Sequence, residues 1–400
     1  MAHREARPHS LGLHTTGFAA LLATQFLGAL NVFAFLFFLV SAIGDYAAGD
    51  AAAASRRESL AYVLLASPFV LLAGWAGAVA DRHRKSSVLR ATKLVEVAAM
   101  AGVVLACALE RGDWLFALLF LLGAQAAFFM PAKHGYLAEA IDERDLTRAN
   151  ALAGMTTFVA IIAGHLGGSL LYDRLGHDLP QATSAFLLVA LAGAAASWLV
   201  PRTEAAHAGE GLLNPMPNLL ATWRQVAAHR GLLYTVLGIA HFCLMAALLD
   251  VQLRTYAEQV LGAGPTLAHS YVALAVLGVA GGALLAARWS ERKVELGIVP
   301  LGALLMTLAL WALSLRAAVT PGEPSLPLDR LLAWTPACAS ALMLGVAGGL
   351  VIVPLAANLQ VLAPEQARGR FVAFSSMLAF VGIFLSAGVL WLLGELRLDP

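Results

Sequence analysis

Asp250 and Arg254 stand four positions apart inside a long apolar stretch of the chain. On a helix that spacing puts both on one face, where they neutralise each other. An ionisable side chain within a membrane helix costs about 2.5–3.5 kcal/mol, so each needs a partner or a wet cavity. Two readings stay open: an ion pair near an interface that assists insertion, or a grip on a zwitterionic group. In the second, Arg254 takes a phosphate and Asp250 an ammonium. Gln25, Asn31, Gln125, His241 and Gln252 also lie in apolar stretches. They either hydrogen-bond to neighbouring helices or, as a set, form the polar lining of a cavity.

A second group gathers where apolar stretches stop. Gly74-Trp75-Ala76-Gly77-Ala78-Val79-Ala80-Asp81-Arg82-His83-Arg84-Lys85 ends one run in an acid and a knot of bases. Bases of this kind hold a helix end at a cytoplasmic membrane surface. Asp81 with Arg82, Arg84 and Lys85 forms a candidate ion-pair latch, with Lys133, Arg292 and Lys293 at comparable ends elsewhere. Lys93 and Glu96, one turn apart, and Lys133 with His134 read as snorkelling or paired groups at the interface. His165, between Gly164 and Gly168, reads as a helix-contact residue.

The elements that must position these groups follow from composition. Of 400 residues, 60% are hydrophobic and 13% charged, with mean hydropathy +0.76. A soluble domain carries about 25% charge. The chain therefore has lipid as its main solvent and is expected to be an all-α polytopic membrane protein. A net charge of +1, with its bases in short clusters, implies no nucleic-acid partner. Cys107, Cys243 and Cys338 lie far apart in apolar runs and read as structural thiols; no metal site or cofactor is expected.

Eleven runs approach the length of about 20 residues that crosses a bilayer. They are 17–43, 59–80, 88–109, 113–132, 148–172, 183–200, 232–260, 266–288, 294–315, 331–358 and 371–394. The first is too long for a signal-peptide core. With the N-terminus inside, 17 of the 26 Lys and Arg fall in inner segments and 7 in outer ones. That asymmetry favours a cytoplasmic N-terminus. The linker 201–231 holds an Asn218-capped helix with apolar residues at 219, 220, 223, 226 and 227, which suits the inner membrane surface with Trp223 at the interface.

The two sides of that linker are weakly related. Gly74 with Arg84-Lys85 matches Gly282 with Arg292-Lys293, and Pro131 with Arg148 matches Pro354 with Arg370. Such parallel repeats belong to the plan of major facilitator transporters. The expected division is a six-helix bundle over 1–200, the linker, and a second bundle over 232–400 with five helices. A twelfth helix is missing from that plan, so the chain reads as incomplete. Gly164-x3-Gly168, Gly278-x3-Gly282 and Gly345-x3-Gly349 are expected to be helix contacts within the chain.

Gly77-x3-Asp81-Arg82 followed by Arg84-Lys85 resembles the loop signature of the major facilitator superfamily. Phe128 to Gly135, Arg148 to Leu152, Lys93 to Glu96 and Lys293 to Gly302 together resemble the lysophospholipid transporter family, especially the transporter domain fused ahead of a lysophospholipid acyltransferase and acyl-carrier-protein synthetase. The resemblance implies movement of lysophosphatidylethanolamine-like lipids from the outer to the inner leaflet of the cell inner membrane. It also implies a fused or associated acyltransferase as partner. Asn31-Val32-Phe33 stands where the family has an Asn-Asp-Asn cluster, and Ser375-Ser376 replaces an Asn pair. A facilitator exporting small metabolites or drugs, or an acyltransferase anchor that transports nothing, are therefore the alternatives. No Gly-x4-Gly-Lys-[Ser/Thr] phosphate loop is present, which excludes ATP hydrolysis by that route. None of the eleven histidines has an Asp five positions on, which disfavours a membrane acyltransferase; the chain is not expected to be an enzyme.

Overall fold

A computed structural model describes residues 12–46, 51–202, 215–261, 265–290, 294–317 and 327–395. Among the described residues there are helices and no strands. They are α1 (Thr16–Tyr46), α2 (Ala51–Leu71), α3 (Ala73–Arg82), α4 (Lys85–Ala108), α5 (Gly112–Ala140), α6 (Glu143–Leu175) and α7 (Leu179–Trp198). After the linker come α8 (Pro215–Ala228), α9 (Arg230–Gln259), α10 (Pro265–Trp289), α11 (Ile298–Ala317), α12 (Pro327–Leu362) and α13 (Arg368–Glu395).

Ten of these are long and apolar enough to cross a membrane, and α2 with α3, if the bent pair is one span, makes an eleventh. The expected second run is thus two helices bent by 55° at Leu72. Pro68 lies inside α2 and has no N–H for the preceding turn, which loosens the helix just ahead of the bend. On α5, Gly123 takes up that wall closely: a Cβ there would overlap the Leu65 carbonyl.

The chain divides into two compact units, each made of discontinuous segments. The first comprises 1–145, 159–233 and 359–377; the second comprises 146–158, 234–358 and 378–400. In the first unit Phe35, Phe38, Met100, Leu119, Leu122 and Phe186 form an apolar core. Phe186 meets Phe35 and Phe38 edge to face, the arrangement aromatic quadrupoles favour. Gly164 and Gly168 let α6 sit directly on the α1 backbone beside Leu30 and Ala34. His165 between them stacks on Phe37 with centroids 3.6 Å apart, as a helix-contact residue should.

In the second unit Leu253, Tyr271, Leu313, Ala337, Ala341 and Leu344 form one core. Gly278 and Gly282 of α10 face Gly345 and Gly349 of α12, and a Cβ at any of the four would strike the opposite backbone. Without side chains between them the two backbones touch, which is how small residues hold helices together where lipid offers no hydrophobic drive. The three thiols are free.

The linker helix α8 begins at Pro215, so Asn218 is inside the helix and is not its cap; its carbonyl accepts from the Thr222 hydroxyl at 2.8 Å. Pro at a first helical position needs no N–H there, and this moves the start upstream. Thr222 and Val226 are buried while Leu220 and Trp223 are exposed. One face therefore rests on protein and the other offers an apolar edge.

Candidate functional site

The first unit has a charged centre. Lys93 and Glu96 of α4 are 2% and 0% exposed, and their Nζ and Oε2 are 2.7 Å apart. They lie eight and eleven residues into α4, about 12 and 16 Å along its axis at 1.5 Å per residue. Of the two readings, pairing holds and snorkelling does not, since both side chains are buried where α1 and α5 meet α4. Asn31 of α1, 0% exposed, donates from Nδ2 to the other Glu96 oxygen at 3.1 Å. A carboxylate only accepts, so this bond fixes the amide's orientation and turns Asn31 Oδ1 away from Glu96. Asn31 Oδ1 itself has no hydrogen-bond partner.

One glycine makes the room. A Cβ on Gly28 would occupy the position of the Lys93 ammonium, and Gly193 of α7 lies against the lysine stem. The Phe129 ring of α5 lies 5.0 Å from Lys93 Nζ, a cation–π distance. One turn before Lys93, Arg90 donates to the carbonyls of Ser197 and Val200 at 3.3 and 2.8 Å, satisfying the open end of α7.

Gln25 is buried on the same side of α1 as Gly28. Gln125, 6% exposed, instead lines a cleft of about 420 Å³ with Val79, His83, Thr92, Leu121 and Phe128, and its Oε1 is unpartnered. It is one helical turn from Phe129, so the cleft and the charged centre share the wall of α5.

The latch has other partners than expected. Asp81 accepts from the backbone N–H groups of Gly369 and Arg370 and, at 3.2 Å, from Arg370 Nε. It does not pair with Arg82 or Arg84, which are half-exposed and exposed. Lys85 pairs with Glu139 of α5 at 3.0 Å. The reason is geometric: the first N–H groups of α13 have no acceptor within their own helix, and the positive end of its dipole draws a carboxylate. Gly77 and Gly369 permit the approach, since a Cβ at Gly77 would lie 2.7 Å from Arg370 Cα and one at Gly369 2.6 Å from Asp81 Oδ1. Arg368 donates to the carbonyls of Gln360 and Ala138, and the Gln360 amide donates to His134 Nδ1 at 3.0 Å. Lys133 is 7% exposed and makes no ion pair among the described residues. Arg292 and Lys293 lie outside the described residues.

The second unit holds His241, Asp250, Gln252 and Arg254 on α9. Arg254 donates to Asp250 Oδ2 at 3.1 Å, the expected one-face pair, with side chains 37% and 52% exposed. His241 is exposed and Gln252 half-buried. The candidate set therefore divides between the two units: Gln25, Asn31 and Gln125 in the first, the α9 residues in the second.

Residues 18–387 match the model of the Major Facilitator Superfamily. The chain belongs to the major facilitator superfamily. Its fold resembles two solved transporters. One is the Escherichia coli fucose:proton symporter FucP (TM-score 0.71, 16% identity, 95% of this chain and 92% of that one). The other is the human organic anion transporter MFSD10 (TM-score 0.71, 17% identity, 95% and 94%). Among curated relatives, the lysophospholipid transporter LplT of Photorhabdus laumondii is 26% identical over 393 residues, 94% of this chain and 90% of its own length. That of Yersinia enterocolitica is 26% identical over 359 residues, 87% and 80%. A major facilitator chain is a multi-pass membrane protein of transporter type, which agrees with the apolar spans here.

The sequence named Lys93, Glu96 and Asn31 without joining them into one centre, and it missed the Arg370 end of the latch. A signal for the first was present in α1: Gln25, Gly28 and Asn31 recur every three residues, a polar and small stripe on an otherwise apolar helix.

Proposed function

We propose that this chain is a lysophospholipid transporter of the cell inner membrane. It moves lipids of the lysophosphatidylethanolamine type from the outer to the inner leaflet by alternating access. The observation that carries the reading is its similarity, along nearly the whole chain, to relatives named lysophospholipid transporters. The N-terminus faces the cytoplasm, where a fused or associated acyltransferase removes the product by reacylation. The functional halves are 1–200 and 232–400, joined by the linker that carries α8.

In this reading Gln25, Asn31, Gln125, His241, Asp250, Gln252 and Arg254 contact the headgroup as it passes. Asp250 and Arg254, each partly exposed, exchange their mutual pair for ammonium and phosphate at little cost, since an exposed pair is worth at most about 1 kcal/mol. The contact of Asp81 with the start of α13 ties the first half of the sequence to the second, and Arg82, Arg84, Lys85, Lys133, Arg292 and Lys293 act with it as the inner-side gate. The Asp81 contact must open for the site to face the cytoplasm.

The test is transbilayer movement of labelled lysophosphatidylethanolamine in proteoliposomes, beside Asp250→Ala and Arg254→Ala. Movement above empty liposomes is expected, reduced at least tenfold in either variant. Movement unchanged in both variants removes Asp250 and Arg254 from the site. No movement by folded wild-type protein overturns the reading in favour of a small-solute exporter or a membrane anchor.

A further inference from the structure

The Lys93–Glu96 pair has a second use beyond holding α4 in place. We propose that it is a headgroup-exchange site for a zwitterionic lipid: Lys93 leaves Glu96 for the phosphate, and Glu96 takes the ammonium together with Asn31 Oδ1. The inference rests on the lysophospholipid reading above and adds to it a specific pair of residues and a preferred headgroup class.

Three observations lead to it. The pair is built rather than incidental, because Gly28 leaves open the very volume the ammonium occupies. Its carboxylate is held by Asn31 at 3.1 Å, so Glu96 keeps its place when Lys93 departs. Asn31 Oδ1 is a fully buried acceptor with no donor. Buried acceptors ordinarily have a donor, and an orphan calls for an explanation. A primary ammonium brings three donors, enough for a Glu96 oxygen and Asn31 Oδ1 at once.

The energetics favour exchange over a fresh site. Taking a phosphate and an ammonium out of water is costly unless each finds an opposite charge in good geometry. Here both opposite charges are already desolvated and lie 2.7 Å apart. Exchange replaces one ion pair with two and strands no charge. A headgroup with a phosphate but no ammonium leaves Glu96 facing a neutral donor after Lys93 has moved, so it gains less. The site thus prefers phospho-ammonium headgroups to phosphoglycerol ones.

The experiment compares lysophosphatidylethanolamine with lysophosphatidylglycerol in the same proteoliposomes, for wild type, Glu96→Gln, and the doubly neutral Lys93→Met/Glu96→Gln. The amide keeps the size and the Asn31 hydrogen bond of Glu96, and still accepts from a glycerol hydroxyl. Glu96→Gln is expected to lower the ethanolamine-to-glycerol rate ratio about tenfold or more, the worth of one hydrogen bond to a charged partner. A ratio within one preparation does not depend on how much protein is folded. The double variant has no unpaired buried charge, should fold, and is expected to move both lipids at least tenfold more slowly. An unchanged ratio in Glu96→Gln, or wild-type rates in the folded double variant, overturns the exchange site while lysophospholipid transport stands. Wild type that moves neither lipid overturns both.

Discussion

At the scale of single residues, the charged centre depends on an absent methyl group. Any side chain at Gly28 would displace the Lys93 ammonium, and Glu96 would then hold a negative charge in an apolar bundle with only Asn31 against it. Breaking a buried pair by deleting one partner costs about 3–5 kcal/mol. Displacement that leaves both partners present should cost less, up to about 3 kcal/mol. Gly28→Ala is therefore expected to lower the melting temperature of the detergent-solubilised protein by several degrees. Adding Lys93→Met and Glu96→Gln to it should recover most of the loss, because no charge is left to displace. Gly154, with nothing near a built Cβ, is the control. Gly154→Ala should gain about 0.5–1 kcal/mol from helix propensity alone. If Gly28→Ala melts like the wild type, Lys93 does not need the space.

At the scale of elements, Asp81 works as the cap of a helix far from it in sequence. It satisfies two amides at the start of α13 and pairs with Arg370 across 289 positions. Loss of a side-chain cap costs about 0.5–2 kcal/mol. Asp81→Ala should speed hydrogen exchange at the amides of Gly369 and Arg370 by roughly tenfold, the effect of about 1.4 kcal/mol of local opening. Exchange in mid-α13, around Ala379, should be unchanged. Equal exchange rates at Gly369 in the two proteins would remove Asp81 from the cap. The same contact marks how far the sequence could be read. Spans were legible because an apolar run of bilayer length has few alternatives, and the pairing of Asp250 with Arg254 was legible because helix geometry alone sets it. The partners of Asp81 were not, since the adjacent bases Arg82, Arg84 and Lys85 are the nearest charges along the chain while α13 is nearest in space. Lys93 misled for a related reason: a lysine two turns into a span fits a snorkelling pattern, and only Gly28 on α1 shows that it turns inward. The bend at Leu72 left a single sign, Pro68, inside a run that otherwise reads as one helix.

At the scale of the molecule, the outward surface is apolar where a soluble protein would be polar. Trp114, Trp198 and Trp311 are exposed at 48%, 59% and 61%, beside Leu166, Leu188, Leu304 and Leu385. Isolated exposed apolar residues are ordinary, but large side chains of this kind recurring along helix after helix need a non-aqueous neighbour. Trp311 is thirteen residues into α11, a helix apolar on every side, which sets it about 20 Å along the axis and within the hydrocarbon. For Trp223, on the exposed edge of α8, the expected place is the headgroup region, where amphipathic rings settle. In vesicles of lipid brominated on the acyl chains, a variant retaining only Trp311 should lose most of its fluorescence, and one retaining only Trp223 distinctly less. Equal quenching would place α8 in the hydrocarbon beside the spans. Unquenched Trp311 would mean that its face of α11 is covered by protein, and the apolar surface would then be a contact between chains and not with lipid.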